Sequence, residues 1–188
     1  MGVSGCGKTA VGQALAAELG WPFFDADDFH PPDNVAKMAA GTPLTDVDRW
    51  PWLDRVATMM AAVNERGANA VLACSALKQA YRDRFSRAGD VRFVHLKGDY
   101  VTIAGRIKAR AHRYMPATLL GSQFATLEEP RQAIVVDVRD AIPVQVAKIR
   151  VALDRDRLPA VGPASAGQGA EAQHQPPEGG PTTRTQVA

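Results

Sequence analysis

The run Gly2-Val3-Ser4-Gly5-Cys6-Gly7-Lys8-Thr9 fits G-x-x-x-x-G-K-[ST] without a mismatch. Few patterns restrict a fold so tightly. The loop needs a buried β-strand to enter it, a helix to leave it, and a parallel sheet to carry both. Its glycines let backbone N–H groups turn inward around phosphate oxygens, and the positive end of the following helix adds to the attraction. Lys8 is placed to reach the β- and γ-phosphates, and the Thr9 hydroxyl to ligate Mg²⁺. Val11, Leu15 and Leu19 follow at helical spacing, so the required helix is present. Residues Gly2 to Thr9 therefore predict binding of a nucleoside triphosphate such as ATP. A chance match in a Gly-rich turn is the alternative, and the complete pattern with its helix weighs against it. Only Met1 precedes the loop, so the strand expected to carry it is read as missing from this chain, with a start codon assigned too late as the expected cause.

The remaining composition is that of a globular protein. A length of 188 residues suits one domain with an appendage. Hydrophobic residues make up 46% and charged residues 22%, proportions that can build a core. A net charge of +2, with its Arg and Lys dispersed, argues against a nucleic-acid partner. Cys6 and Cys74 lack metal-ligand spacing and read as small packing residues, and a free thiol in the loop favours a reducing compartment. Neither a secretory leader nor a long apolar run appears, so a cytoplasmic protein without a membrane partner is expected.

Apolar runs alternate with amphipathic ones. Trp21–Asp25, Ala70–Ser75, Val91–Lys97 and Ile134–Val138 read as short buried strands. Lys8–Leu19, Trp52–Glu65, Leu77–Arg87, Val101–Arg110 and Val144–Asp154 read as helices. This alternation predicts an α/β fold, a parallel sheet with helices on both faces, with ligands beyond the carboxyl ends of the strands. The phosphate-loop domain is read as residues 1–158. From Pro159 to Ala188 the chain has no Leu, Ile, Met or aromatic residue, and the expectation is a disordered tail without chemistry.

The segment Phe23-Phe24-Asp25-Ala26-Asp27-Asp28-Phe29-His30-Pro31 is the second informative one. Its Asp25 and Asp27 leave a strand two residues apart. Phosphoryl transfer needs one acid near the Mg²⁺ shell and another near the acceptor hydroxyl. Asp25 suits the first role and Asp27 the second. Capping of the helix near Pro31 is the bland alternative, evenly balanced for Asp28. Residues 34–53 read as a polar, turn-rich insertion in which Lys37 and Arg49 could bind an anion or simply be solvated. Of Trp50 and Trp52, at least one is read as a packing anchor.

The run Asp25 to Leu53, DADDFHPPDNVAKMAAGTPLTDVDRWPWL, closely resembles the acceptor-binding region of the thermoresistant-type gluconate kinases. Cys74 to Asp83, His95 to Gly98 and Leu120 to Glu128 are similar to three further stretches of that family, and the resemblance spans about Gly2 to Leu153. It implies a three-layer P-loop NTPase fold of the nucleoside-monophosphate-kinase type, with a parallel sheet of order 2-3-1-4-5 whose central first strand is the missing one. It also implies a homodimer and a transfer of the ATP γ-phosphate to the 6-hydroxyl of D-gluconate. The product, 6-phosphogluconate, would feed the pentose phosphate and Entner–Doudoroff routes. Carried over by position, Lys8, Asp27 and Arg110 are catalytic, and Asp27 holds and deprotonates the hydroxyl. Asp27, His30, Lys37, Arg49, Lys78 and Gln123 bind gluconate. Gly2, Val3, Ser4, Gly5, Cys6, Gly7, Lys8, Thr9, Arg106 and Arg110 bind the nucleotide, the two arginines from a mobile lid. Thr9 and Asp25 hold the metal. The sequence departs from the family in the lid, where His112-Arg113 stands for the usual order, and in a short link from Glu129 to Ile134. A shikimate-kinase-like enzyme, and a non-catalytic nucleotide-binding product, are the alternative readings.

Overall fold

The computed structural model describes residues 1–109, 117–157 and 184–187. Helix α1 spans Lys8–Leu19, leaves the phosphate loop, and ends on Gly20 in the left-handed conformation. Strand β1 is Phe23–Asp25, followed by a 3-10 turn over Ala26–Phe29. Helices α2 (Pro32–Ala39) and α3 (Asp46–Glu65) precede β2 (Ala70–Ala73). Then come α4 (Gln79–Ser86), β3 (Asp90–Lys97), α5 (Tyr100–Ala109), α6 (Ala117–Thr126), β4 (Ile134–Asp137) and α7 (Ile142–Arg157). Strand β5 is Arg184–Val187.

Every strand pairing is parallel, in the order β1-β2-β5-β3-β4. Alternate residues of the strands point to opposite faces, as a pleated sheet requires. Val71, Val94, Leu96 and Val136 pack with Val11, Leu15 and Ile149 on the side of α1 and α7. Leu72 packs with Leu53, Met60 and Phe85 on the side of α3 and α4. Each such fully buried side chain contributes about 1.5–3 kcal/mol. The sheet is thus covered on both faces, as the α/β reading requires.

The sheet order corrects the sequence reading at one place. The central position, assigned to a strand ahead of the loop and read as missing, is held by β5. Thr185, Gln186 and Val187 oppose Ala70, Val71 and Leu72 of β2 in the same order from Ala70↔Thr185, and Arg184 to Val187 oppose Asp90 to Phe93 of β3. The tail expected to be disordered therefore supplies four strand residues. The reason is that a ladder is built from backbone N–H and C=O groups, which a polar run supplies as well as an apolar one. Met1 continues the same line along β3. Its amino group donates to the Val94 carbonyl at 2.5 Å, and its carbonyl accepts from the Leu96 N–H at 3.0 Å.

The insertion read as turn-rich is more helical than expected. Pro32 starts α2, where a missing N–H costs nothing. Helix α3 starts six residues ahead of the expected Trp52, because Thr45 and Asp48 form a reciprocal capping box. Pro51 sits inside α3. It removes only the bond to the Val47 carbonyl, and Val47 is solvent-exposed, so water can satisfy that oxygen. Helix α6 has no counterpart in the sequence reading.

Candidate active site

The phosphate loop has the backbone its glycines foretell. Gly2, Gly5 and Gly7 adopt φ values of 141°, 82° and 101°. At Gly5 a Cβ would lie 2.6 Å from Ile107 Cγ1, so α5 packs directly against the loop. No side chain caps the N-terminus of α1, which leaves its first N–H groups for an anion. Lys8 Nζ donates to the Gly2 and Val3 carbonyls at 3.1 and 3.2 Å, which folds the ammonium back over the loop. Gln123, read as a gluconate ligand, instead grips the loop. Its Oε1 accepts from the Ser4 N–H at 2.6 Å, and its Nε2 donates to Ser4 Oγ at 3.2 Å. Both ends of the amide thus hold the loop, and each keeps one further hydrogen-bonding position.

At the carboxyl end of β1, the Thr9 hydroxyl donates to Asp25 Oδ2 at 2.9 Å. Asp25 Oδ1 accepts from the Asp27 N–H at 3.1 Å and caps the 3-10 turn. Asp25 thus serves as cap and as metal-side candidate together, and its cap presents Asp27 at the mouth of the cleft. Hard oxygen donors of this kind suit Mg²⁺, which takes few protein ligands beside phosphate and water. Protein atoms crowding the cleft raise the Asp27 pKa, and the Asp25 carboxylate raises it further. The Asp27 side chain is itself 82% exposed. Water therefore reaches it, and the repulsion from Asp25 is the firmer cause.

His30 faces Asp27, with Nε2 3.9 Å from Oδ1. The ring stacks on Trp52 at 4.2 Å and 16°, and Trp52 Nε1 donates to the Ala26 carbonyl at 2.7 Å. Trp52 is thus the packing anchor, and Trp50 is 38% exposed. Buried Asn34 donates to the Asp48 carbonyl at 2.8 Å and approaches His30 Nδ1 at 3.4 Å. An amide nitrogen donates only, so Nδ1 accepts and the proton of neutral His30 sits on Nε2, toward Asp27. Burial, reinforced by Arg49, lowers the His30 pKa to about 4.

The expected cations are already paired within the chain. Lys37 Nζ lies 2.6 Å from Asp48 Oδ1, and Lys78 Nζ 2.6 Å from Asp46 Oδ2. Arg49 Nη1 is 3.7 Å from Asp46 Oδ1 and donates to the Tyr81 hydroxyl at 3.3 Å. Arg106, read as a phosphate ligand in a lid, donates to the Val138 carbonyl beyond β4. Arg110, His112 and Arg113 lie outside the described residues. Sequence reasoning passed over Asn34, Asp46, Tyr81 and Arg82. The available signal was helical spacing, since Asn34 is four residues from His30 and Tyr81 three from Lys78.

Arg82 is 1% exposed and pins the turn that follows β2. It donates to the carbonyls of Ala76 at 2.8 Å, Leu77 at 3.0 Å and Glu128 at 2.8 Å. Ala76 has φ 43°, the left-handed region, so the turn needs such support. Its Ser75 carbonyl accepts from the Gly2 N–H at 3.2 Å, which ties the turn to the phosphate loop. Arg82→Met is expected to cost about 3 kcal/mol, because it strands buried carbonyls. A denaturant midpoint measures this, and a loss under about 1 kcal/mol would mean that water replaces the guanidinium.

Acid should weaken the fold through two histidines. Burial lowers the pKa of His30 and of His95 to about 4 from 6.5. The unfolded chain binds their protons as pH falls below about 6.5, and the folded chain only near 4, so stability drops across that window. The raised Asp27 pKa acts in the opposite sense, but through a single group. Unfolding free energies at several pH values between 4 and 7 check the sign, and a flat or rising profile on acidification would contradict it.

Comparison with known proteins identifies the family. A family model described as shikimate kinase matches residues 4–148. A probable gluconokinase of Xenopus tropicalis is 44% identical over 177 residues, covering 84% of this chain and 93% of its own. The gluconokinase of Gluconobacter oxydans (strain 621H) is 48% identical over 132 residues, covering 69% and 74%. The crystal structure of a gluconokinase from Sinorhizobium meliloti 1021 superposes with a TM-score of 0.76 at 41% identity, covering 82% of this chain and 89% of that one. The family model names the wider kinase group, and relatives above 40% identity narrow it: the chain belongs to the gluconokinase family of P-loop kinases.

Proposed function

We propose that this protein transfers the γ-phosphoryl group of ATP to the 6-hydroxyl of D-gluconate, giving ADP and 6-phospho-D-gluconate. One observation carries the reading. Asp27 stands between the Thr9–Asp25 pair, through its N–H on Asp25 Oδ1, and the His30 ring, whose Nε2 lies 3.9 Å from Asp27 Oδ1. An alcohol held at Asp27 therefore lies between a phosphate cradle and a neutral imidazole, with the cations of α3 and α4 available to an acid beyond it.

In this reading Asp27 accepts the proton of the 6-hydroxyl, and its raised pKa brings it nearer to the task. His30 directs Nε2–H toward the same carboxylate. The loop from Gly2 to Thr9 holds the phosphates, and Lys8 swings from the Gly2 and Val3 carbonyls to their oxygens. The Thr9 hydroxyl and Asp25 would hold Mg²⁺, which would supply charge neutralisation on the phosphates. Arg106, on the helix that packs on Gly5, borders the nucleotide, and Arg110 is assigned to lid closure, which excludes water. Arg49, Lys78 and Lys37 face the sugar acid. We place the enzyme in a homodimer, as the family resemblance implies, and the reaction in the cytoplasm, as expected of a sequence in which no secretory leader is read; among the described residues no helix is long and apolar enough to cross a membrane.

A coupled ADP-release assay tests the proposal with gluconate, shikimate, nucleoside monophosphates and neutral polyols as acceptors. ADP release that depends on gluconate and Mg²⁺ together is expected. Release with shikimate in preference to gluconate would transfer the protein to the alternative acceptor class. Nucleotide binding without release under any acceptor would return it to a non-catalytic module.

A further inference from the structure

The acceptor wall contains one group whose placement depends on a residue with no assigned role. Lys78 is the N-cap of α4 and Tyr81 lies three residues on within it, and Asp46 and Arg49 stand on α3 with the same spacing. The four meet at one point. Asp46 accepts from Lys78 Nζ at 2.6 Å on Oδ2 and from the Tyr81 hydroxyl at 2.5 Å on Oδ1. The Tyr81 oxygen in turn accepts from Arg49 Nη1 at 3.3 Å. One phenol therefore spends its proton on the acid and its lone pair on the guanidinium. Tyr81 is only 3% exposed and packs edge-on against Trp50 at 5.6 Å and 87°. Its oxygen is consequently a fixed point.

The pairing leaves the three cations unequal. Lys37 and Lys78 are each held at 2.6 Å by a carboxylate. Arg49 is 3.7 Å from Asp46, whose nearer oxygen is taken up by Tyr81. Its guanidinium has five N–H donors in a planar fork, and that shape matches a carboxylate in two-point contact. Arg49 lies three residues ahead of Trp52 on α3, and the Trp52 ring stacks on His30 at 4.2 Å, so Arg49 shares the helix face turned toward His30.

Building on the gluconate-kinase reading, we infer that Tyr81 is a positioning residue that sets Arg49 as the reader of the acceptor's carboxylate. Tyr81 holds one edge of the guanidinium, and the remaining donors address the acid end of an open-chain polyhydroxy acid. The hydroxyl end of the same molecule lies at Asp27. Asp46 anchors the phenol and keeps Lys78 engaged, so Lys78 supplies field rather than direct contact.

The test is Tyr81→Phe in the full chain, which removes the shared oxygen and keeps the ring. Initial rates are measured with gluconate and with glucitol, the alcohol lacking the acid, beside the thermal midpoint. We expect the KM for gluconate to rise about tenfold, as for the loss of one charge-assisted hydrogen bond, with kcat within about twofold. The preference for the acid over the alcohol should shrink by a similar factor. An unchanged KM and preference would overturn the inference. So would a variant that loses kcat and thermal stability together while keeping its preference, since that marks a purely structural role. A parent chain that does not phosphorylate gluconate would overturn the functional reading itself. Normal parent turnover with an indifferent Tyr81→Phe would overturn this inference alone.

Discussion

Asp27→Asn is expected to lower kcat with gluconate by about 10³, within the range found for loss of a positioned general base. Asparagine keeps the shape of the side chain and removes both its charge and its basicity. The local backbone does not depend on that carboxylate, because the turn is capped by Asp25 through the Asp27 N–H. Nucleotide affinity should persist, since the loop is shaped by glycine conformation, Gln123 and the α1 N-terminus. The pH dependence gives a second reading of the same group. Desolvation in the cleft and the Asp25 charge both raise the Asp27 pKa, so the acid limb of kcat/KM should lie above the ordinary carboxylate range. Steady-state rates across pH, with ATP binding measured separately, check both statements. Near-parental turnover in Asp27→Asn would remove Asp27 from the base role.

Deleting residues 184–188 should have a still larger effect on the fold. Strand β5 pairs with β2 over three residues and with β3 over four. Without it, two strand edges open in the middle of the sheet. Each ladder bond is worth about 1 kcal/mol, and a domain of this kind has only about 5–15 kcal/mol in total. The shortened chain is therefore expected to lose its cooperative unfolding transition, and with it the alignment of Gly2 beside Ser75. Thr185→Pro should act in the same direction, because proline removes a ladder donor from a central strand. Hydrogen exchange on the intact chain needs no variant at all. The backbone amides of Arg184 to Val187 should exchange as slowly as those of β2 and β3. Exchange at the rate of a free peptide would show that the strand is not held there.

The parts of the site legible in the sequence share a property. The phosphate loop, the Asp25–Asp27 pair and the start of α1 are set by neighbours within a few residues, through glycine conformation, caps and helical spacing. Where contacts cross the chain, residue type alone was insufficient. Gln123 lies 119 residues from Ser4, and its amide proved to be a brace for the loop. Arg82 lies within the helix read over Leu77–Arg87, a pattern that does not foretell its hydrogen bond to Glu128, 46 residues on. Lys37, Lys78 and Arg49 were legible as cations, whereas their unequal pairing with Asp46 and Asp48 depends on how α3 packs on α4. The insertion hid two helix starts, because Pro32 and the Thr45–Asp48 box are signals of one residue or four amid polar chain.

By itself the sequence determined the kind of chemistry and the kind of fold. An unbroken phosphate loop before a helix, followed by strand-terminal carboxylates and alternating apolar runs, allows few other arrangements, since each local choice points to the same parallel sheet. The tertiary structure alone decided what completes that sheet. Arg184-Thr185-Gln186-Val187 carries no core pattern, and its place between β2 and β3 rests on backbone groups that every residue has. It likewise decided how the cations are paired, because Arg49 meets a phenol oxygen that is shared between two helices.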